Sequence, residues 1–360
     1  MALLKRLGFF TAFILPALVV AGVYLNGYWQ MSTIVFVFIF IPFADYLIGL
    51  DTSNVKKEVI ALETERYFYR LVTYVWMYLQ LAFLFWCVWV ITQEEIHGAF
   101  EWFCFILSTG LVTGGIGITV AHELGHKKPK IERFYSQVLL MTVCYMHFYI
   151  EHNRGHHVYV ATPEDPATAQ KNETFYRFWF KSVFVGYKHA WHLENVRLIQ
   201  KNKSFFSIDN KMIHYQVLPA LFCLALLVFG YLLSGEILLS IPLFFFSQSI
   251  VAFTLLELVN YLEHYGIQRK KLPSGRYEQV NPLHSWNASH LISNFFLFQL
   301  QRHSDHHAYA HKRYQVLEHY DESPQLPYGY PTMILIALVP PLWFNLMNKK
   351  LDEWQMQSIT

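Results

Sequence analysis

The chain has 360 residues, of which 54% are hydrophobic and only 15% charged, against roughly 25% charged in an ordinary soluble domain. Its formal net charge of +2, with no basic patch interleaved with stacking aromatics, excludes a nucleic-acid binder. The four cysteines, Cys87, Cys104, Cys144 and Cys223, lie scattered in apolar stretches without a C-x-x-C pair, which argues against disulfides and thiolate metal sites and for buried small hydrophobes.

A membrane span needs about 20 mainly apolar residues. Read in chain order, such stretches cover roughly 8–28, 31–50, 71–92, 99–121, 215–234 and 237–262, predicting an all-α integral membrane fold of six helices. No small-residue cleavage site follows the first apolar run and further spans come after it, so no secretory signal peptide is expected. Three tight connections, 26–30, 93–98 and 234–236, join the spans in pairs and contain no Lys or Arg. All 28 basic residues fall on the other side: 2 at the N-terminus, 4 in 51–70, 13 in 122–214 and 9 after residue 264. The positive-inside rule makes that side cytoplasmic, with both termini there. Aromatic residues, 18% of the chain, suit anchoring at the two interfaces. Two further apolar stretches, 134–150 and 330–347, are short or broken by Pro340-Pro341, and are expected as interfacial helices or as a lid. With no internal repeat or low-complexity linker, residues 1–360 read as one domain, a membrane bundle with a cytoplasmic cap at 122–214 and 265–360.

Half of the 18 histidines fall into four clusters at this basic side. Span four ends in His122-Glu-Leu-Gly-His126, and His152-Asn-Arg-Gly-His156-His157 follows in the cap. Span six ends in Asn260-Tyr-Leu-Glu-His264-Tyr-Gly266, and His303-Ser-Asp-His306-His307 comes last. Spacings of three and four residues put imidazoles on one helix face, and ionisable groups at membrane depth mark function. Nine imidazoles are too many for one ion and divide as five and four over two. All-nitrogen ligation favours Zn, Cu, Ni or Fe over Mg or Ca; structural zinc would use four ligands and leave the rest over. Redox-active iron fits the count. Glu123, Glu151, Glu263 and Asp305 lie beside the clusters and are expected to receive the second N–H of a histidine from another cluster. Glu257 and Asn260 share a helical face with His264 and are expected to support it. Asp45 and Asp51 are weaker candidates of this kind. The other nine histidines (His97, His147, His189, His192, His214, His284, His290, His311 and His319) read as ordinary core or surface residues, with His284 and His290 as possible outer supports and His311 the one most easily mistaken for a ligand.

Three other readings fit less well. His122-Glu123-x-x-His126 matches the H-E-x-x-H of zinc proteases, but that mechanism leaves seven clustered histidines unexplained. Haem would pair histidines across facing helices within the bilayer, and a transporter would gather its ligands near the midplane.

The patterns H-x3-H, H-x3-HH and H-x2-HH resemble the integral-membrane di-iron superfamily of fatty-acid desaturases, hydroxylases and hydrocarbon monooxygenases. Asn260–Gly266 and Leu300-Gln-Arg-His-Ser-Asp-His-His307 are similar to the signatures of membrane-bound alkane 1-monooxygenases, and the resemblance runs from the first span to about residue 345. It implies two iron ions held by His122, His126, His152, His156, His157, His264, His303, His306 and His307. It also implies terminal hydroxylation of lipid-dissolved medium-to-long linear alkanes with dioxygen, and electrons from rubredoxin, itself reduced by an NAD(P)H-dependent reductase. Lacking paired C-x-x-C, the chain is expected to receive them from a separate protein or from a rubredoxin domain beyond this sequence. Lys127, Lys128, Lys130, Arg133 and Arg269–Lys271 are the expected docking residues, and a bacterial inner membrane the expected location. The apolar substrate calls for a blind-ended tunnel lined by spans two, three, four and six. A fatty-acyl desaturase or an aromatic side-chain monooxygenase of the same superfamily is the alternative.

Overall fold

In the computed structural model, which describes residues 3–357, almost all ordered structure is helical; among the described residues there is no strand, only isolated bridges such as Leu50 with His290. Residues 358–360 of the expected cap lie outside the described residues. Among the described residues, six helices are long and apolar enough to cross a membrane: Lys5–Leu25, Gly27–Ile48, Tyr67–Thr92, Gly98–Gly125, Lys211–Ser234 and Ser240–Glu263. They are called spans one to six below. The largest departures from the sequence reading arise where a helix continues past its apolar window into polar residues, from Tyr67 through Arg70 at the start of span three, through His122 and Glu123 at the end of span four and from Lys211 at the start of span five. Span five begins at Asn210, whose side chain accepts from the Met212 amide at 3.0 Å, and stops at Gly235 with φ 75°. These are an N-cap and a left-handed C-terminal glycine.

Spans four and six form the central pair. A Cβ at Gly114 would stand 2.6 Å from the Cα of Ala252, so only glycine permits this backbone approach, as at membrane helix contacts rich in small residues. Buried amides tie the bundle further. Trp76 donates to Gln80 Oε1 at 2.9 Å, Gln80 donates to Thr142 Oγ1 at 2.8 Å, Gln248 donates to the Thr142 carbonyl at 3.0 Å, and Thr113 donates to Gln248 at 2.7 Å.

Thr142 shows how the stretch 134–150 differs from its expectation. It neither crosses nor lies flat. The helix Lys130–Met141 runs inward to the level of Gln80, midway along span three, turns through Cys144 (φ 53°), and returns to Phe148–Glu151. Non-helical backbone at membrane depth requires cover by protein, and Thr142, Val143, Tyr145 and Met146 are all buried. The stretch is therefore a re-entrant hairpin. Its two ends stay on one side, which lets the first two histidine clusters meet.

A 26-residue helix, Phe175–Gln200, was not apparent from hydrophobic pattern. It closes the cap with a small-residue face (Ser182, Gly186, Ala190) and buries Glu194, which pairs with Arg197 at 2.6 Å and Arg154 at 3.3 Å. Tyr330–Ala337 covers the C-terminal end of span six, as a lid would, and Pro340–Gln357 follows. The cysteines are free, three buried and Cys144 half-buried.

Candidate metal centre

The four histidine clusters converge into two adjoining groups. His122, His126, His152, His157 and His306 form the first; His156, His264, His303 and His307 form the second; within each, one nitrogen per residue lies within 4.8 Å of the others. Local helix geometry does the sorting. In ordinary α-helix, residues four apart share a face, so His122 and His126 go together, as do His303 and His307, and His306 points to the first group. His152–His156 is instead a π-turn, whose wider i→i+5 repeat brings His157 onto the same face as His152, the rings edge to face and their Nε2 atoms 3.1 Å apart. Residues five apart in an α-helix would diverge by about 140°. The same turn sends His156 to the second group, where its Nε2 lies 3.3 Å from that of His307.

The nitrogens are arranged for an ion. Two nitrogens bound at about 2.1 Å to one metal and at right angles are about 3 Å apart. The Nε2–Nε2 separations are 3.1 Å for His126–His152 and 3.1 Å for His264–His303. His152 Nε2 has a single in-plane hydrogen or lone pair, yet ring nitrogens of both His126 and His157 face it. Mutual hydrogen bonding does not satisfy such a set; a shared cation does. Burial, reinforced by neighbouring imidazoles, pushes His126, His152, His157, His264, His303, His306 and His307 well below the usual imidazole range, and the neutral ring is the form that ligates.

The carboxylates fall differently from expectation. Glu263 accepts from the Tyr330 hydroxyl at 2.7 Å and sets its other oxygen 3.1 Å from His303 Nε2. It therefore stands beside the group's inward nitrogens rather than behind the ring. Glu151 faces His189 at 3.2 Å, Glu257 accepts from Tyr145 at 2.7 Å and Asn260 at 3.3 Å, and Asp305 is held by Lys312, Tyr320 and the Glu318 amide. Glu123 pairs with Lys127 at 3.1 Å. None of Glu123, Glu151, Glu257, Asn260 or Asp305 has a side-chain hydrogen bond to the nine histidines among the described residues. Lys127, only 4% exposed, is held inside by Glu123 and the Lys312 carbonyl, which removes it from the docking surface. Asp45 accepts from the Ile292 and Ser293 amides, and Asp51 from Lys5. His284 faces Glu278, His290 and His311 lie outside both groups, and His311 is exposed.

Asp165 was missed by sequence reasoning. Its Oδ2 lies 2.9 Å from His156 Nδ1, while its Oδ1 accepts from the Ala167 amide at 3.0 Å and Oδ2 from Thr168 at 2.6 Å. Burial disfavours a charged His156, but the Asp165 carboxylate outweighs this and the pKa is raised. This contact keeps a proton on Nδ1 and turns Nε2 toward the second group. The available signal was the Asx turn in Thr162-Pro-Glu-Asp-Pro166, nine residues beyond His156.

An open apolar cavity, about 890 Å³ of empty space when its solvent-facing mouth is counted, reaches His122, His152, His303 and Glu263. Its walls come from span one (Leu15), span two (Val37, Phe38, Ile41), span four (Leu111, Gly114, Gly115, Ile116, Ile118, Thr119), span six (Leu255, Leu256, Val259, Asn260), the segment 293–300 (Ser293, Phe296, Leu297, Leu300) and the lid (Tyr330, Ile334). Span three contributes no wall residue; span one takes the place expected for it. Among the lining residues there is no Lys or Arg.

These features define an integral-membrane helical protein with a nine-histidine, two-group metal site at the foot of an apolar cavity. Residues 98–337 match the fatty acid desaturase family. The chain is 45% identical to alkane 1-monooxygenase 2 of Pseudomonas aeruginosa, over 91% of this chain and 85% of that protein. It is 40% identical to the alkane 1-monooxygenase of Acinetobacter baylyi (89% and 77%), and 30% identical to the xylene/toluene monooxygenase hydroxylase component of Pseudomonas putida (71% and 66%). The chain belongs to the fatty acid desaturase family, on its alkane 1-monooxygenase branch.

Proposed function

We propose that this protein is an alkane 1-monooxygenase: R–CH3 + O2 + 2 e⁻ + 2 H⁺ gives R–CH2OH + H2O. The observation that carries the reading is the cavity, apolar along its length and ending at imidazoles of both groups. The nine histidines are the proposed ligands of two iron ions, five on one and four on the other. Bound there, the irons supply the redox chemistry that activates dioxygen.

The chain's own residues do the rest. A linear alkane has no polar handle, so the cavity holds it by apolar burial, about 0.8 kcal/mol per methylene. Val37, Phe38, Leu255 and Val259 are half-buried wall residues of spans two and six, and entry from the lipid lies between them. The closed end presents the terminal methyl to the metal groups. Tyr330 fixes the Glu263 carboxylate there, and Asp165 fixes the His156 ring.

Electrons are proposed to come from a rubredoxin-type acidic donor, reduced in turn by an NAD(P)H-dependent reductase. His126 and His157 are the partly exposed members of the first group. Exposed Lys128 adjoins the former, and Arg269, which donates to the Val158 carbonyl at 2.8 Å, brings exposed Lys270 and Lys271 near the latter. Charge complementarity of this kind acts mainly on encounter rate. The clustering of basic residues on this side supports a cytoplasmic position for this face, and a bacterial inner membrane is the proposed location.

A fatty-acyl desaturase would need cations near the cavity to hold a carrier or headgroup, and the wall offers none. The test assays octane, xylene and an acyl-carrier substrate side by side with reduced rubredoxin. 1-Octanol as the main product supports the proposal. Acyl desaturation alone, benzylic hydroxylation alone, or mainly 2-octanol contradicts it.

A further inference from the structure

Span four contains a glycine whose missing side chain is not used for packing. Its π-helical stretch Leu111–Ile118 is glycine-rich and is preceded by Gly110, and these glycines differ in kind. A Cβ at Gly110 would meet the Val251 side chain at 2.4 Å, one at Gly114 the Ala252 backbone at 2.6 Å, and one at Gly117 the Gln80 amide at 2.1 Å. Each of these lets a neighbouring helix or side chain come close. A Cβ at Gly115 would meet nothing within 4 Å, and Gly115 lines the apolar cavity. Its φ lies outside the positive range, so the backbone does not require glycine either. The empty space over Gly115 is cavity space.

The position along the cavity gives this space a role. Leu111, one turn toward the far end, lines the cavity, as do Thr119 and His122 toward the metal groups. Seven residues separate Gly115 from His122, about 10 Å of helix at ~1.5 Å per residue, so an extended chain with its terminal carbon at His122 passes Gly115 at about its ninth carbon. Longer chains must use the space above Gly115 to reach the region of Leu111 and Leu15. We propose that Gly115 is a chain-length determinant: by leaving the middle of the cavity open, it admits substrates longer than about eight carbons. This rests on the alkane reading above.

The test is a competition in one vessel. An equimolar mixture of octane, dodecane and hexadecane is supplied to the iron-loaded full chain with reduced rubredoxin, and the primary alcohols are quantified. Because all substrates meet the same enzyme, the product ratios do not depend on how much of each variant is folded. Gly115→Leu is expected to lower long-chain relative to C8 alcohol about ten-fold, and Gly115→Ala to lower it less, in line with the discrimination that a few carbon atoms provide in an apolar pocket. Unchanged ratios in the Leu variant would overturn the proposal. Should the Leu variant yield no alcohol, the Ala variant decides, and an unchanged ratio there overturns it. A wild-type chain that makes no alcohol from any of the three would instead count against the alkane reading itself.

Discussion

The two histidine groups adjoin one another but are built on different plans. The first has five imidazoles, two of them half-exposed, and no carboxylate in a side-chain hydrogen bond to them among the described residues. The second has four, all buried, with Asp165 behind His156 and Glu263 beside His303. An ion held by the first group would have ligands to spare and an edge near solvent, suited to receiving electrons. An ion held by the second would sit in a dry site beside two acidic side chains, with no ligand to spare.

That contrast sets the order of expected effects. His264→Ala leaves three imidazoles in the second group and should abolish turnover, with metal content falling by about half. His126→Ala leaves four in the first group and should lose less metal. Equal losses in the two variants, measured by elemental analysis after gel filtration, would erase the distinction. Asp165→Asn keeps the shape but weakens the hold on the His156 Nδ1 proton; activity should drop about 10- to 100-fold, as for other outer partners of metal-bound imidazole, with metal loss confined to one equivalent. Full activity in that variant would show that ring orientation does not depend on Asp165. Charge reversal of Lys128, Lys270 and Lys271 should raise the KM for reduced rubredoxin several-fold, more at low salt, while leaving kcat nearly unchanged; no change would move the donor away from the first group's edge. The smallest effect is structural. Gln80→Leu removes the donor to Thr142 and should cost about 1 kcal/mol, read as a lower Tm in detergent with both metals retained.

All nine clustered side chains were legible in the sequence, because spacings of three and four on the ends of apolar helices are conspicuous. Their sorting into two groups was only half legible. The pairs His122–His126 and His303–His307 follow from α-helical periodicity. The pairing of His152 with His157 depends on a π-turn, a backbone irregularity that residue spacing conceals. Contacts across the fold were the least legible part. Asp165 reaches His156 from a loop, and Tyr330 reaches Glu263 from a helix 67 residues further along the chain. The six spans were visible from hydropathy alone. The re-entrant hairpin was not, since its depth is set by the buried bonds of Thr142 to Gln80 and Gln248 rather than by composition.

The nine imidazoles are proposed to hold two redox-active ions. Elemental analysis of the purified full chain, combined with X-ray absorption at the metal edge, should find close to two irons per chain in a nitrogen-rich environment. One zinc per chain, or a single iron bound by only one of the two groups in an active enzyme, would contradict this assignment.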